Sequence, residues 1–525
     1  VYLNIEEGKK YYFRDIKWVG NTIYPYEYLN EILNIKKGDV YNYKELMKRL
    51  QTDENEAVSK LYQDRGYLFS NIEPVEIMIE NDSIDFEMRV YEGKQATINA
   101  VNIKGNTRVY EHVVRRELYT KPGQLYSQSD IMRTYRELAG MGHFDPEKIK
   151  PDIQPDPENG TVDITYELET KGSDQIEFSA GWGATGIVGT LGLKFTNFAI
   201  QNLFKPETYR IVPQGEGQTF SINARTNGQS YTSFSASFLE PWLGGKRPNS
   251  LSASVYYAAQ TGVSKRFYES MQNYMYSPYS YGGYGSYGGS SYGGYNNYSD
   301  AYSALYQNEM DPGIYMRTLG ASLGYGKRLS WPDDYFSFYG EFSFQRFMLS
   351  NWAYLPPLSD GNFNNISLNL TLSRNSIFNP IYTRRGSSFS VGLKITPPYS
   401  IWSGKDYSDP NMTDQERYKF IEYHKWTLNG KTFTPLTVDE KLILMTRVMF
   451  GYLGHYNKDA RSPYETYYMG GDGMSAYTSY GTEYIAMRGY ESGSLVPLDP
   501  ERKTRIGYLY NKFTMELRYP LSLEQ

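Results

Sequence analysis

From Asp174 onward, apolar residues fall on every second position in one stretch after another. Ile176, Phe178, Ala180 and Trp182 open the series, and Phe389, Val391, Leu393 and Ile395 form its cleanest member. In the last stretch, Gly507 to Tyr519, the apolar Phe513, Met515, Leu517 and Tyr519 alternate with Lys512, Thr514, Glu516 and Arg518. A strand points successive side chains to opposite faces, so each stretch carries one apolar and one polar face. About twelve such strands can be counted, each near the ~9–11 residues with which a tilted strand crosses a bilayer. No apolar run reaches the ~18 residues of a membrane-spanning helix. The pattern excludes a helical membrane bundle and predicts a barrel wall with lipid outside and water inside.

The connections are predicted to alternate in length. Those at 240–249, 328–335, 377–383 and 430–437 are short, whereas those at 261–314, 397–417 and 453–506 are long. Short turns at one end and long loops at the other are a barrel signature, with the long loops expected outside the cell. The abundance of Tyr (54) and Gly (48) agrees with a β-rich chain carrying interfacial aromatics. The absence of Cys rules out disulfides and thiolate metal sites. A net charge of −5 without a basic block excludes a nucleic-acid footprint.

The chain before this region contains a divergent repeat. Ile-Lys-Trp-Val-Gly-Asn-Thr at 16–22 returns as Ile-Lys-Gly-Asn-Thr at 103–107. Gly20 and Gly105 stand 85 positions apart, as do Gly38 and Gly123. Each unit reads β-α-α-β-β. The predicted helices are 26–33 and 44–64 in the first unit, and 111–118 and 128–139 in the second. Leu46, Leu50, Ala57 and Leu61 are the expected buried stripe of 44–64. Each second helix ends at a Gly followed by an aromatic turn, Gly66-Tyr67 and Gly142-His143-Phe144, which suits a left-handed cap. The closing hairpins pair Ile72–Ile79 with Ile84–Tyr91 across Asn81-Asp82, and Ile149–Gln154 with Val162–Glu169 across Glu158-Asn159-Gly160. Self-similarity at a fixed period marks tandem modules, here 10–93 and 94–172, with 1–9 as the end of a preceding module or linker.

Two modules of this order resemble POTRA domains. With the barrel pattern at 173–525 and a long loop carrying Met487-Arg488-Gly489-Tyr490, the chain resembles the BamA family, which inserts barrel proteins into the outer membrane. Tyr467-Tyr468-Met469-Gly470-Gly471, Ser237-Phe238-Leu239-Glu240-Pro241 and Arg385-Gly386 are further matching pieces. The resemblance implies a sixteen-stranded barrel, of which about twelve strands are read here, so the chain is expected to be C-terminally incomplete and a mature or trimmed product. It implies an outer-membrane location in a Gram-negative-type bacterium, with the POTRA modules in the periplasm. Expected partners are BamD-like lipoproteins, unfolded barrel clients and the lipid bilayer. No cofactor, metal or catalytic residue is implied. The rival reading is a TamA-like or two-partner-secretion transporter exporting a dedicated substrate.

Three groups of site residues follow. Arg488, with Gly489 and Tyr490, is expected to fold into the lumen and pair with Glu516 as a structural latch. The first strand, Gln175 to Ala184, is expected to form a lateral gate edge through Gln175, Ile176, Phe178, Ala180, Gly181, Trp182 and Gly183. Its glycines weaken packing and permit bending. The Tyr/Gly-rich stretch within 261–314, with Tyr274, Tyr279, Tyr281, Tyr284, Tyr287, Tyr292 and Tyr295, reads as a surface loop or as an adaptable contact surface for a further subunit.

Some motifs mislead. Gly181-Trp-Gly183-Ala-Thr-Gly186 matches GxGxxG but opens no helix, so the dinucleotide reading fails. His112, His143, His424 and His455 are scattered without metal-ligand spacing, and His143 is expected to pack as the ring of its turn.

Overall fold

The structure, a computed structural model, describes residues 9–52, 57–172, 174–183, 186–209, 211–228, 230–263, 310–352, 358–377, 382–437, 440–471, 482–491, 493–499 and 504–521. The Tyr/Gly-rich stretch from Tyr274 to Tyr295 lies outside them. The chain divides into two compact units. One comprises 1–173 together with 196–217, and the other comprises 174–195 and 218–525.

The first unit holds two modules. The first contains β1 (Tyr12–Val19), α1 (Tyr26–Leu33), α2 (Tyr43–Met47), α3 (Val58–Gln63), β2 (Asn71–Glu80) and β3 (Ser83–Tyr91). The second contains β4 (Thr97–Lys104), α4 (Glu111–Arg115), α5 (Gln128–Gly140), β5 (Lys150–Asp156) and β6 (Thr161–Glu167). The sheet orders, β1-β3-β2 and β4-β6-β5, are equivalent. Caps start the helices where the repeat repeats: Asn42 accepts from the Glu45 N–H, and Ser127 accepts from the Asp130 N–H. Gly20 and Gly105 have φ of 88° and 85°, and a Cβ on either would collide with the carbonyl oxygen of Val90 or Leu168. Asn81 and Asp82, with φ of 49° and 61°, make the tight hairpin turn.

The predicted 44–64 helix is interrupted. A π turn over Lys48–Thr52 follows α2, and Ala57 is extended before α3 begins. A π turn accommodates one extra residue. Leu46, Leu50 and Ala57 are buried as expected, Val58 and Tyr62 join them at 0% exposure, and Leu61 is only partly buried. His143 is buried with its ring against Phe144.

The second unit is built on a twelve-stranded antiparallel sheet whose neighbours follow chain order. Its strands are β7 (Gln175–Gly183), β8 (Gly186–Phe198), β9 (Gln218–Asn227), β10 (Tyr231–Glu240), β11 (Asn249–Val263), β12 (Met310–Arg328), β13 (Phe336–Ser350), β14 (Gly361–Asn375), β15 (Gly386–Ile395), β16 (His424–Pro435) and β17 (Ile443–Gly454). The long loop after β17 contains a parallel pair, β18 (Thr466–Met469) with β19 (Thr482–Ile485), and a short hairpin, β20 (Leu498–Asp499) with β21 (Thr504–Arg505). The last wall strand is β22 (Leu509–Arg518). Strands β7 and β22 occupy the two edges.

Two predicted boundaries move. The strands expected at 418–429 and 441–452 lie at His424–Pro435 and Ile443–Gly454. Gly430 does not end its strand; it pairs with Val448 on one side and Phe389 on the other. The strand ends instead at Pro435, and Glu440, before the next strand, takes a φ of 51°.

The apolar row of this sheet is uncovered. Phe178 is 75% exposed, Phe342 52% and Met515 74%. The opposite row is polar and hydrogen-bonds across strands: Ser254 with Ser322 at 2.8 Å, Ser343 with Ser367 at 2.7 Å, and Ser337 with Ser373 at 2.8 Å. A sheet with its greasy face bare and its polar face lined is a membrane β-barrel wall. No described helix is long and apolar enough to cross a membrane.

Candidate functional site: a loop seated on the polar face

Call the end of the sheet where β7 begins and β22 finishes the near end. At the far end, apolar residues of the inner row meet the connecting loops. Met316, Phe347, Leu349, Phe363, Leu453 and Tyr510 form one buried cluster with Trp352, Tyr418, Tyr423, Tyr464, Tyr467 and Ile485. Tyr464 stacks on Phe347 at 4.4 Å, and Tyr467 meets Tyr510 edge-on at 4.7 Å. Gly451 makes room for this contact, since a Cβ there would fall on the rings of Tyr510 and Tyr467.

Beneath the cluster lies a buried charge group. Period two turns Lys394 of β15, Lys425 of β16 and Lys512 of β22 to the inner face. Glu465, at the head of β18, is 7% exposed. Its carboxylate accepts from Lys394 Nζ at 3.0 Å, Lys425 Nζ at 3.3 Å and the Tyr423 hydroxyl at 3.0 Å. Lys425 also meets Glu483 of β19 at 2.8 Å. Lys512 Nζ donates to the carbonyl of Ala486 at 2.6 Å, next to Met487. A buried carboxylate is tolerable when paired and fully hydrogen-bonded. Burial pushes the Glu465 carboxyl up, but the two ammonium groups and Tyr423 outweigh it and hold the group below its ordinary value. Burial, reinforced by Glu465, pushes the Tyr423 hydroxyl well up, which keeps it a donor.

The loop motif closes on itself above these contacts. Gly470 N–H donates to Ile485 O at 3.1 Å, Met487 N–H to Gly471 O at 2.8 Å, and Gly471 N–H to Tyr490 O at 2.9 Å. The Gly470-Gly471 and Met487–Tyr490 runs, separate in sequence, are therefore one structural unit. The expected Arg488–Glu516 pair is not formed. Glu516 Oε1 accepts from Arg518 Nε at 2.8 Å, its neighbour on the same inner row. Arg488, Gly489 and Tyr490 are exposed, and Arg488 forms no ion pair among the described residues. A carboxylate two positions from an arginine on one strand face finds its counter-ion locally, and that removes the need for a distant one.

Sequence reasoning located the loop but missed Glu465, Glu483, Tyr423 and the lysines. A signal existed: Lys394 stands between Leu393 and Ile395 on the polar row of the cleanest alternating strand, so it had to face inward. Of the predicted gate residues, β7 runs Gln175–Gly183 and pairs with β8 alone among the described strands. Its Ile176 and Phe178 are 68% and 75% exposed.

Wall, modules and inward-seated loop define a class: a membrane barrel preceded by POTRA-type modules. Residues 214–525 match the Omp85 superfamily domain, and 11–93 and 96–171 each match POTRA, the surface antigen variable number repeat. The chain belongs to the Omp85 superfamily. It is 24% identical over 532 residues to the outer membrane protein assembly factor BamA of Neisseria meningitidis serogroup B, covering 99% of this chain and 55% of that protein. It is 25% identical over 241 residues to a putative outer membrane protein assembly factor of Treponema pallidum, covering 46% of this chain and 27% of that protein. The chain thus spans about half or less of these relatives' length. Among solved structures, BamA from Haemophilus ducreyi lacking POTRA domains 1-3 aligns with a TM-score of 0.50 at 17% identity, covering 98% of this chain and 84% of that one.

Proposed function

We propose that this chain is the membrane-embedded part of an outer-membrane protein assembly factor, with its modules in the periplasm, and that it folds client barrels by strand templating at β7. A client strand entering hydrocarbon carries unpaired N–H and C=O groups, each costing several kcal/mol. A partly open edge can hydrogen-bond that strand before it meets lipid. The observations that carry this reading are the Omp85 match over 214–525 and the first wall strand itself, β7, with Gly181 in its interior and Ile176 and Phe178 on its exposed apolar row. A shortened apolar belt beside the first strand would thin the bilayer locally and lower the barrier to insertion. The seated loop keeps the polar face ordered while the edge works. Clients would be delivered through the modules by periplasmic lipoproteins.

Depletion in the native bacterium tests the function. An assembly factor's loss reduces many outer-membrane barrels together. Loss of a single secreted substrate, with other barrels unchanged, would show a dedicated transporter instead. Because the chain lacks Cys, Ser179→Cys on β7 also offers a unique crosslinking site toward a client stalled during insertion.

A further inference from the structure

In segment 196–217, between β8 and β9, two asparagines are inside. Asn197 and Asn202 are 5% and 4% exposed. Asn197 Nδ2 donates to Arg108 O at 2.7 Å, and its Oδ1 accepts from the Gly217 N–H at 3.0 Å. Asn202 Nδ2 donates to the Tyr110 hydroxyl at 2.7 Å, and the Tyr110 N–H donates to Gly215 O at 3.0 Å. These contacts fix the segment onto the second module. Phe198 and Ala199 are buried, but three large apolar residues are outside: Leu203 is 46% exposed, Phe204 91% and Ile211 75%. Local bonds hold that display in place, Lys205 N–H to Asn202 O at 2.9 Å and Tyr209 N–H to Pro206 O at 3.1 Å.

The covering phase is given by the chain's own continuity. The segment leaves β8 after Phe195 and re-enters β9 before Phe220, so both of its ends are tied to wall strands. Other near-end turns carry the same kind of residue, with Leu243 at 43%, Trp331 at 81% and Leu436 at 50% exposure. Large apolar residues at strand ends belong to the membrane interface. Lys205, beside Phe204, can reach lipid phosphates with its ammonium while its stem stays apolar. We propose that Leu203, Phe204 and Ile211 form a lipid anchor, inserted in the near-side leaflet of phospholipid, that ties the second module to the membrane. This rests on the reading of the wall as membrane-spanning.

The test uses the full chain in phosphatidylethanolamine/phosphatidylglycerol vesicles. Phe204→Cys, Ile211→Cys and Glu207→Cys are each labelled with an environment-sensitive fluorophore, the chain having no native Cys. At 204 and 211 the label should be quenched several-fold more by lipid-borne nitroxide than by aqueous iodide. At the exposed polar position 207 the preference should reverse. Iodide quenching at 204 and 211 equal to that at 207 overturns the anchor, and so does protection from both quenchers, which would mean a protein covers the patch. A labelled Phe342→Cys separates the two levels. Lipid quenching there without lipid quenching at 204 and 211 defeats the anchor alone, whereas its absence at 342 defeats the reading of the wall. Phe204 is too exposed for its replacement to unfold the segment.

Discussion

Strands β3 and β22 carry the same code with opposite outcomes. In β3, Ile84, Phe86, Met88 and Val90 alternate with Asp85, Glu87 and Arg89; in β22, Phe513, Met515 and Leu517 alternate with Thr514, Glu516 and Arg518. The β3 row is 8% exposed or less, under the helices of its module. The β22 row is 66–74% exposed, and its polar side faces the loop that Lys512 holds. Alternation specifies that a strand has two unlike faces; it does not say which face meets solvent. That choice is made by what the neighbouring chain supplies: helices with apolar stripes in the modules, and polar partners such as Glu465 and Glu483 in the wall.

The comparison can be broken most severely at its two buried centres. Phe86→Ala should destabilise the first module by about 3–5 kcal/mol, from lost burial and the cavity left behind. Urea unfolding followed by protease sensitivity of the modules reads this, with the wall unaffected. Glu465→Ala should cost up to about 3–5 kcal/mol, because Lys394 loses this carboxylate and Lys425 keeps only Glu483. The readout is loss of heat-modifiable mobility on gels together with cleavage in the loop at 455–508. If Glu465→Ala leaves both unchanged, the charge group does not hold the loop.

On the lipid side, Phe342→Arg should cost about 2–4 kcal/mol near the bilayer midplane and much less in detergent, where the headgroup region is within reach. Gly451→Ala should cost about 1–3 kcal/mol by forcing Tyr467 and Tyr510 apart, seen as faster loop proteolysis. The charge group also has a pH signature. Its carboxyl is held below its ordinary value of about 4.5, so the stabilisation is complete above that pH and is lost as pH falls through the lower folded value. Loop proteolysis by an acid-active protease should rise across that window in the wild type, while Glu465→Gln should show a flat profile. The smallest effect is expected for Arg488→Ala, within about 0.5 kcal/mol of wild type, as for an exposed side chain with no ion pair among the described residues. A larger loss of stability there would restore the latch that this structure does not contain.

Much of this organisation was legible before the fold was seen. The module order followed from the 85-residue spacing of Gly20 and Gly105, because a close backbone approach admits no other residue. The wall followed from alternation sustained without a long apolar run. The loop was found through Gly470-Gly471 and Arg488-Gly489-Tyr490, but its anchor was misassigned. Ion pairing is settled by which side chains converge in space, and Glu465 lies far in sequence from Lys394. Gly430 misled because a glycine inside a paired strand looks the same in sequence as one in a turn. The polarity of segment 196–217 was invisible too, since buried asparagines are recognisable by their partners, Arg108 and Tyr110, which belong to another part of the chain.

The sign of the wall is measured most directly by a nitroxide scan along β13 in reconstituted bilayers, one single-Cys variant at a time from Phe338 to Gln345, comparing relaxation by dissolved oxygen with relaxation by an aqueous nickel chelate. Period two is expected, with Phe338, Phe342 and Phe344 reached by oxygen and shielded from nickel, and Tyr339, Glu341 and Ser343 showing the reverse. Nickel access at Phe342, or shielding of that position from both reagents, would contradict it.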